Sequence, residues 1–146
     1  MDNMKIRKVD FLKNIRKYSP NSYVNERLDK LVTVGLLKLN EAELETNFDN
    51  IVVILHKLFP EKFSLITYPE YPDSIRVDNT LRLDCKHSKF VNGNRIKGFR
   101  LTSLGRIAAE DTLENLNSDK AAGIVTQRSQ SVIKRRNRAT RAVTAI

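Results

Sequence analysis

Residues 77–105 read VDNTLRLDCKHSKFVNGNRIKGFRLTSLG, and the conformation of this stretch decides what the chain can be. Its first part is ambiguous. At helical period, Val77, Leu81 and Cys85 line one face, Asp73 or Ser74 caps the start, and Arg76, Asn79, Lys86 and His87 fall outside that face. At period two, Ile75 and Val77 alternate, then Leu81, Leu83 and Cys85, with DNT at 78–80 as a turn. The second part carries a hairpin signal. Asn92-Gly93 tolerates positive φ and stands between Phe90-Val91 and the apolar positions Ile96, Phe99 and Leu101 that lead out. Gly98 fits a bulge. Thr102 or Ser103 then caps a last helix over 104–117, which turns Glu110 and Glu114 to one side.

Working back toward the N-terminus, residues 4–18 put Ile6, Val9, Leu12 and Ile15 at steps of three, the mark of a helix with one apolar stripe. SPNS at 19–22 breaks it. Asn21 or Ser22 can cap a second helix that carries Val24, Leu28, Leu31 and Val32 and ends at Gly35. LLKLNEAELETN at 36–47 is expected to form a short hairpin with Leu36 and Leu44 inward. NFDNIVVILHKLFP at 47–60 is apolar on nearly every side; its length, with Asn47 or Asp49 as cap, favours a buried helix over a strand. Pro69 and Pro72 limit 61–74 to a helical turn and a loop. The expected organisation is an N-terminal helical extension (1–47), a central domain (48–117) and a basic, mobile tail (118–146).

The 146 residues are 40% hydrophobic and 29% charged, enough for one domain with appendages. No apolar run approaches the roughly 20 residues of a membrane span, and the first residues lack the apolar core of a signal peptide. An intracellular, cytoplasmic protein without a membrane partner is expected. The single cysteine, Cys85, excludes a disulfide within the chain, and Cys85, His87 and His56 lack the number and spacing of a zinc site. No metal and no cofactor is expected. Net charge is +9, most of it in the tail, where Lys120, Arg128, Lys134, Arg135, Arg136, Arg138 and Arg141 face the single acid Asp119. A second basic run, Lys86, Lys89, Arg95, Lys97 and Arg100, has no acid between its members. Such a distribution suits a polyanion. A coiled coil in the tail has little support, because Val125, Val132, Ala139 and Ile146 recur at seven without a second apolar position.

From 48 to 117 the order of helix, turn, helix, basic hairpin and helix resembles a winged helix-turn-helix domain. The likeness is carried by the stretch 77–105 and by its aromatic-x-Leu-Thr-x-x-Gly ending at Phe99, Leu101, Thr102 and Gly105, and it covers about half of the chain. Residues 22–39, SYVNERLDKLVTVGLLKL, also resemble the end of a recognition helix leading into a strand, so a second, degenerate winged helix stays open there. The resemblance implies a mainly α fold with a small β-hairpin wing, an N-terminal helical extension and a basic C-terminal tail. It implies that helix 74–88 enters the major groove while the wing, 90–101, lies beside it. The candidate nucleic-acid-binding residues are then Arg76, Asn79, Arg82, Lys86, His87 and Lys89, the wing residues Asn94, Arg95, Lys97 and Arg100, and Lys134, Arg135, Arg136 and Arg138 in the tail. The residue types agree. Arg and Lys on a protruding turn reach phosphates without being buried, and Asn, Arg, Lys and His can read base edges or grip phosphate.

The expected function is non-catalytic nucleic-acid binding, duplex DNA foremost and RNA as the alternative. The chain would serve in transcription regulation or as a subunit of a nucleoprotein complex, with protein partners and a homodimer both compatible. Winged helices also serve as protein-docking modules, which is the second expectation. An enzyme alternative comes from Pro72-Asp73 and Asp84-Cys85-Lys86, which fit the PD-(D/E)xK pattern of Mg²⁺-dependent nucleases if 74–86 is a hairpin. No Ser-His-Asp, Walker or dinucleotide-binding pattern appears. Charge density without apolar surface predicts that deleting 118–146 leaves the melting temperature nearly unchanged. The same deletion lowers nucleic-acid affinity chiefly through its salt-sensitive part. Thermal denaturation and salt titrations of the truncated chain check both; a clear loss of stability would make the tail structural.

Overall fold

The helix Leu28–Glu41 is apolar on almost every turn, with Leu31, Val32, Val34, Leu36 and Leu39 fully buried. A helix apolar all round belongs inside a core, and the other elements pack about it. The computed structural model describes residues 10–121. In order they form α1 over 10–14, α2 (Pro20–Tyr23), α3 (Leu28–Glu41), α4 (Phe48–Leu58) and α5 (Pro60–Phe63). Then α6 (Ser74–Asn79) runs through a π-helical turn (Thr80–Asp84) into α7 (Cys85–Ser88). A two-stranded antiparallel hairpin, β1 (Val91–Asn94) and β2 (Gly98–Leu101), leads to α8 (Ser103–Ala121). The fold is mainly helical with this small hairpin. No helix among the described residues is long and apolar enough to cross a membrane.

Helix α3 lies against α4, α8 and the π-helical turn. One hydrophobic cluster joins Tyr23 and Leu31 with Ile54, Phe63, Val77, Phe99 and Leu116, so the packing runs unbroken across residue 47. Tyr23 anchors the N-terminal part: its ring meets Phe59 edge-on at 5.0 Å, and its hydroxyl accepts the Glu61 N–H at 3.2 Å.

Several local expectations change. Only 10–14 of the expected helix 4–18 is helical among the described residues; its start lies outside them. The second helix is divided. Pro20–Tyr23 forms a short turn that buries Tyr23, Val24 is exposed, and α3 begins afresh at Leu28. Gly35 does not end that helix. A Cβ at Gly35 would lie 2.8 Å from Leu55 Cδ2, so the missing side chain lets α4 approach, and α3 continues to Glu41. The hairpin expected over 36–47 is therefore absent, its first half being helix. Helix α4 forms as expected, its cap Asn47 accepting the Asn50 N–H at 2.8 Å. The last helix reaches Ala121, so residues 118–121 belong to it and not to the tail.

The turn of the hairpin also moves. Pairing Val91 with Leu101 and Asn94 with Gly98 places the turn at Arg95-Ile96-Lys97, not at Asn92-Gly93. A turn at Asn92-Gly93 would pair Phe90 with Arg95 and run its first strand straight back into α7. The observed register keeps Val91 and Phe99 on the core side, and one-sided burial of this kind fixes a register. Asn94 builds the turn by accepting the N–H groups of Ile96 at 2.9 Å and Lys97 at 2.8 Å. Gly93, at φ +114°, is needed within the strand, because a Cβ there would sit 2.1 Å from the Gly98 carbonyl oxygen. Ile96, expected on the strand leading out, stands at the turn.

Thr102 joins helix, hairpin and last helix. Its hydroxyl donates to the Lys89 carbonyl at 2.6 Å and accepts the Gly105 N–H at 2.9 Å, capping α8. Its own N–H reaches the Phe90 carbonyl at 2.9 Å. Gly105 then passes so close to Phe90 that a Cβ would lie 2.0 Å from that carbonyl oxygen. At an open helical position Gly→Ala stabilises by roughly 0.5–1 kcal/mol. Here Gly105→Ala is expected to destabilise by about 2–3 kcal/mol, since backbone must move. Urea denaturation gives the sign; a stabilised variant would dissolve the close approach.

Candidate nucleic-acid interface

The 74–88 segment is helical, with Asp73 Oδ1 accepting the Arg76 N–H at 3.1 Å as its cap. Val77, Leu81 and Cys85 are buried and Leu83 is exposed, which selects the helical period over the alternating one. Arg76, Asn79, Arg82, Lys86 and His87 face solvent. Arg82 is held in place: its Nη2 donates to Asn79 Oδ1 at 2.8 Å and its Nε lies 3.6 Å from Asp78. Arg76 Nε is 3.8 Å from Asp73. Exposed pairs of this kind are weak. The π-helical turn is closed by the Cys85 N–H donating to the Thr80 carbonyl, and the Thr80 hydroxyl donates back to the Arg76 carbonyl at 2.8 Å.

The helix ends on a strained cation. Lys89 has φ +64°. Its N–H bonds the Lys86 carbonyl at 3.2 Å and the Phe90 N–H bonds the Cys85 carbonyl at 3.0 Å. This is the hydrogen-bond pair of a Schellman cap, whose left-handed position normally holds glycine. Lysine there costs about 1–2 kcal/mol. The exposed side chain makes no ion pair among the described residues. Among the described residues Glu43, at φ +60°, is the other non-glycine residue in this conformation.

On the hairpin, the alternation set by buried Val91 and Phe99 turns Asn92 and Arg100, directly paired, to solvent. Lys97 is exposed at the end of the turn. Arg95 behaves differently from Lys97. Its guanidinium lies 4.0 Å from the Phe48 ring centroid, stacked on the domain. Asn94 spends its carbonyl oxygen on the turn. Among the sequence candidates, then, Lys97 and Arg100 face outward as reaching groups, while Arg95 and Asn94 shape the hairpin. Thr46 fixes its free edge: the Phe99 N–H donates to the Thr46 carbonyl at 3.0 Å, and the Thr46 hydroxyl donates to the Phe99 carbonyl. In sequence Thr46 and Phe48 carry no sign of these roles, and Asn92 reads as a turn residue and not as a solvent-facing strand position. Counting alternation from Val91 along β1 would have found Asn92; nothing local marks the other two.

The nuclease constellation does not assemble. Asp73 caps the helix and Asp84 lies near its far end, roughly 16 Å along the axis at helical rise. Asp84 and Lys86, two apart, do not share a helix face. Cys85 is buried, and burial, with the Asp29 carboxylate adding to it, pushes its thiol far above the usual range. Among the described residues no group of His, Cys, Asp and Glu could hold a metal ion. Lys134, Arg135, Arg136 and Arg138 lie outside the described residues. No protein-family model, curated protein or solved structure matches the chain.

Replacing Lys89 by glycine removes both strain and charge. Lys89→Gly is expected to raise stability by about 1 kcal/mol and, if the cation meets phosphate, to flatten the salt dependence of DNA binding by about one unit. Chemical denaturation and a salt titration of the variant check the two effects; a loss of stability would contradict the strain.

Proposed function

We propose that this chain is a non-catalytic winged-helix protein that binds duplex DNA, with the 74–88 helix in the major groove and the hairpin as the wing beside it. One observation carries this reading. Lys86, Lys89, Lys97 and Arg100 are exposed on the end of the helix and on the hairpin, no acid occurs between residues 85 and 109, and none of the four forms an ion pair among the described residues. Cations left unpaired on neighbouring elements gain most by displacing counterions from a polyanion. The Asn79–Arg82 pair, midway along the helix, brings the two side-chain types suited to adenine and guanine edges. Phosphate contacts by the lysines would position the helix, and that pair would read sequence. A regulator or a nucleoprotein subunit are the roles such a module fits.

The test is fluorescence anisotropy on a mixed-sequence duplex across a salt series. Replacing Lys97 and Arg100 together by alanine is expected to weaken binding on all sequences alike and to flatten the logarithmic salt slope by about two units. Thermal stability should not change. An unaltered slope would remove the wing from the interface. Failure of the unmodified chain to bind either duplex DNA or RNA would overturn the nucleic-acid reading and favour protein docking.

A further inference from the structure

Resting on the duplex-DNA reading above, we propose that the hairpin turn is an apolar wedge: Ile96 enters the minor groove, unstacks a base step and bends the duplex. Ile96 is 95% exposed and lies outside the hydrophobic cluster. The backbone beneath it is preset. Asn94 accepts the N–H groups of both Ile96 and Lys97, and Gly98 follows at φ +89°. Arg95 stacks on Phe48 at 4.0 Å, and Phe99 is bonded to Thr46 on the next edge. The turn is thus braced from two sides, and its ordering cost is met when the protein folds, not when it binds.

The setting of Ile96 distinguishes its ligand. Lys97 follows it directly, and Arg100 stands behind on the solvent face of β2. An apolar branched side chain on a braced projection beside cations is the equipment of proteins that kink DNA from the minor groove, where the cations hold the neighbouring phosphates. Ile66 is equally bare, at 94%, but the loop from Ser64 to Pro72 has no Lys or Arg and contains Glu70. It lacks what would hold it against a polyanion. One isoleucine also offers too little apolar area to anchor a membrane surface. The wedge further selects the kind of duplex. Steps that unstack easily, TA and CA/TG, accept it at low cost, and stiff A-tracts resist it.

The probe is a duplex of about 30 base pairs with 2-aminopurine beside central TA steps and a fluorophore at each end. It is compared with an A-tract duplex of the same length, at low salt and with the full chain. The expected results are a rise in 2-aminopurine fluorescence, a bend of roughly 20–90° and tighter binding to the TA duplex. Ile96→Ala should still bind, with the same salt slope, but lose the fluorescence rise, the bend and the preference. Ile96→Leu should retain them. Binding by the unmodified chain with a normal salt slope but no unstacking or bending would overturn the wedge and leave the DNA reading standing. So would an Ile96→Ala variant that bends the duplex as well as the parent. No binding to either duplex would overturn both.

Discussion

The contact of Gly105 with the Phe90 carbonyl, held by the Thr102 hydroxyl, fixes the helix and the hairpin of the candidate interface relative to the last helix. Phe90 follows the 74–88 helix, Thr102 ends the hairpin, and Gly105 lies in the first turn of α8. With no Cβ at Gly105, the last helix can close onto the chain leaving α7. With the Thr102 hydroxyl donating to Lys89 and accepting from Gly105, the polar groups at this crossing are partnered where a missing partner would be costly. Helix α8 then lies along α3, and Leu116 completes the core. The Leu-Thr-x-x-Gly sequence at 101–105 is thus a packing device first. It positions the hairpin because it positions the helix after it.

Around that junction the surface divides into residues that shape and residues that reach. Arg95 stacked on Phe48 and Asn94 folded into the turn are spent within the molecule. Lys86, Lys89, Lys97 and Arg100 are not. Lys89 links the two roles, since it occupies the left-handed position where the helix must end so that Phe90 can enter the strand. Stability and charge therefore compete at one residue, and the chain keeps the charge.

Much of the candidate site was legible from local pattern. The spacing of Val77, Leu81 and Cys85 offered the buried face of the helix, and exposed Leu83 settles it against the alternating pattern. The acid-free run from Lys86 to Arg100 marked the cationic surface directly. The role of Arg95 could not be read in this way. In sequence it resembles Lys97, and only Phe48, brought beside the turn by Thr46 and α4, separates the two. The nuclease pattern failed for a geometric reason: three residues that would meet on a hairpin lie apart on a helix.

The sequence by itself determined what nearest neighbours control. Asn47 caps α4, Asp73 caps α6 and Thr102 caps α8, because a side-chain oxygen needs only an N–H two or three residues on. Helical burial of 47–60 and the sign of the charge on 86–100 are equally local. Tertiary structure decided whatever depends on residues distant in the chain. Gly35 reads as a helix end, yet it lies inside α3 because Leu55 fills the space its side chain would take. Asn92-Gly93 reads as a turn, yet it lies within a strand. The register is set by Val91 and Phe99 reaching the core and by Thr46 bonding Phe99, and their burial outweighs the preference of one dipeptide.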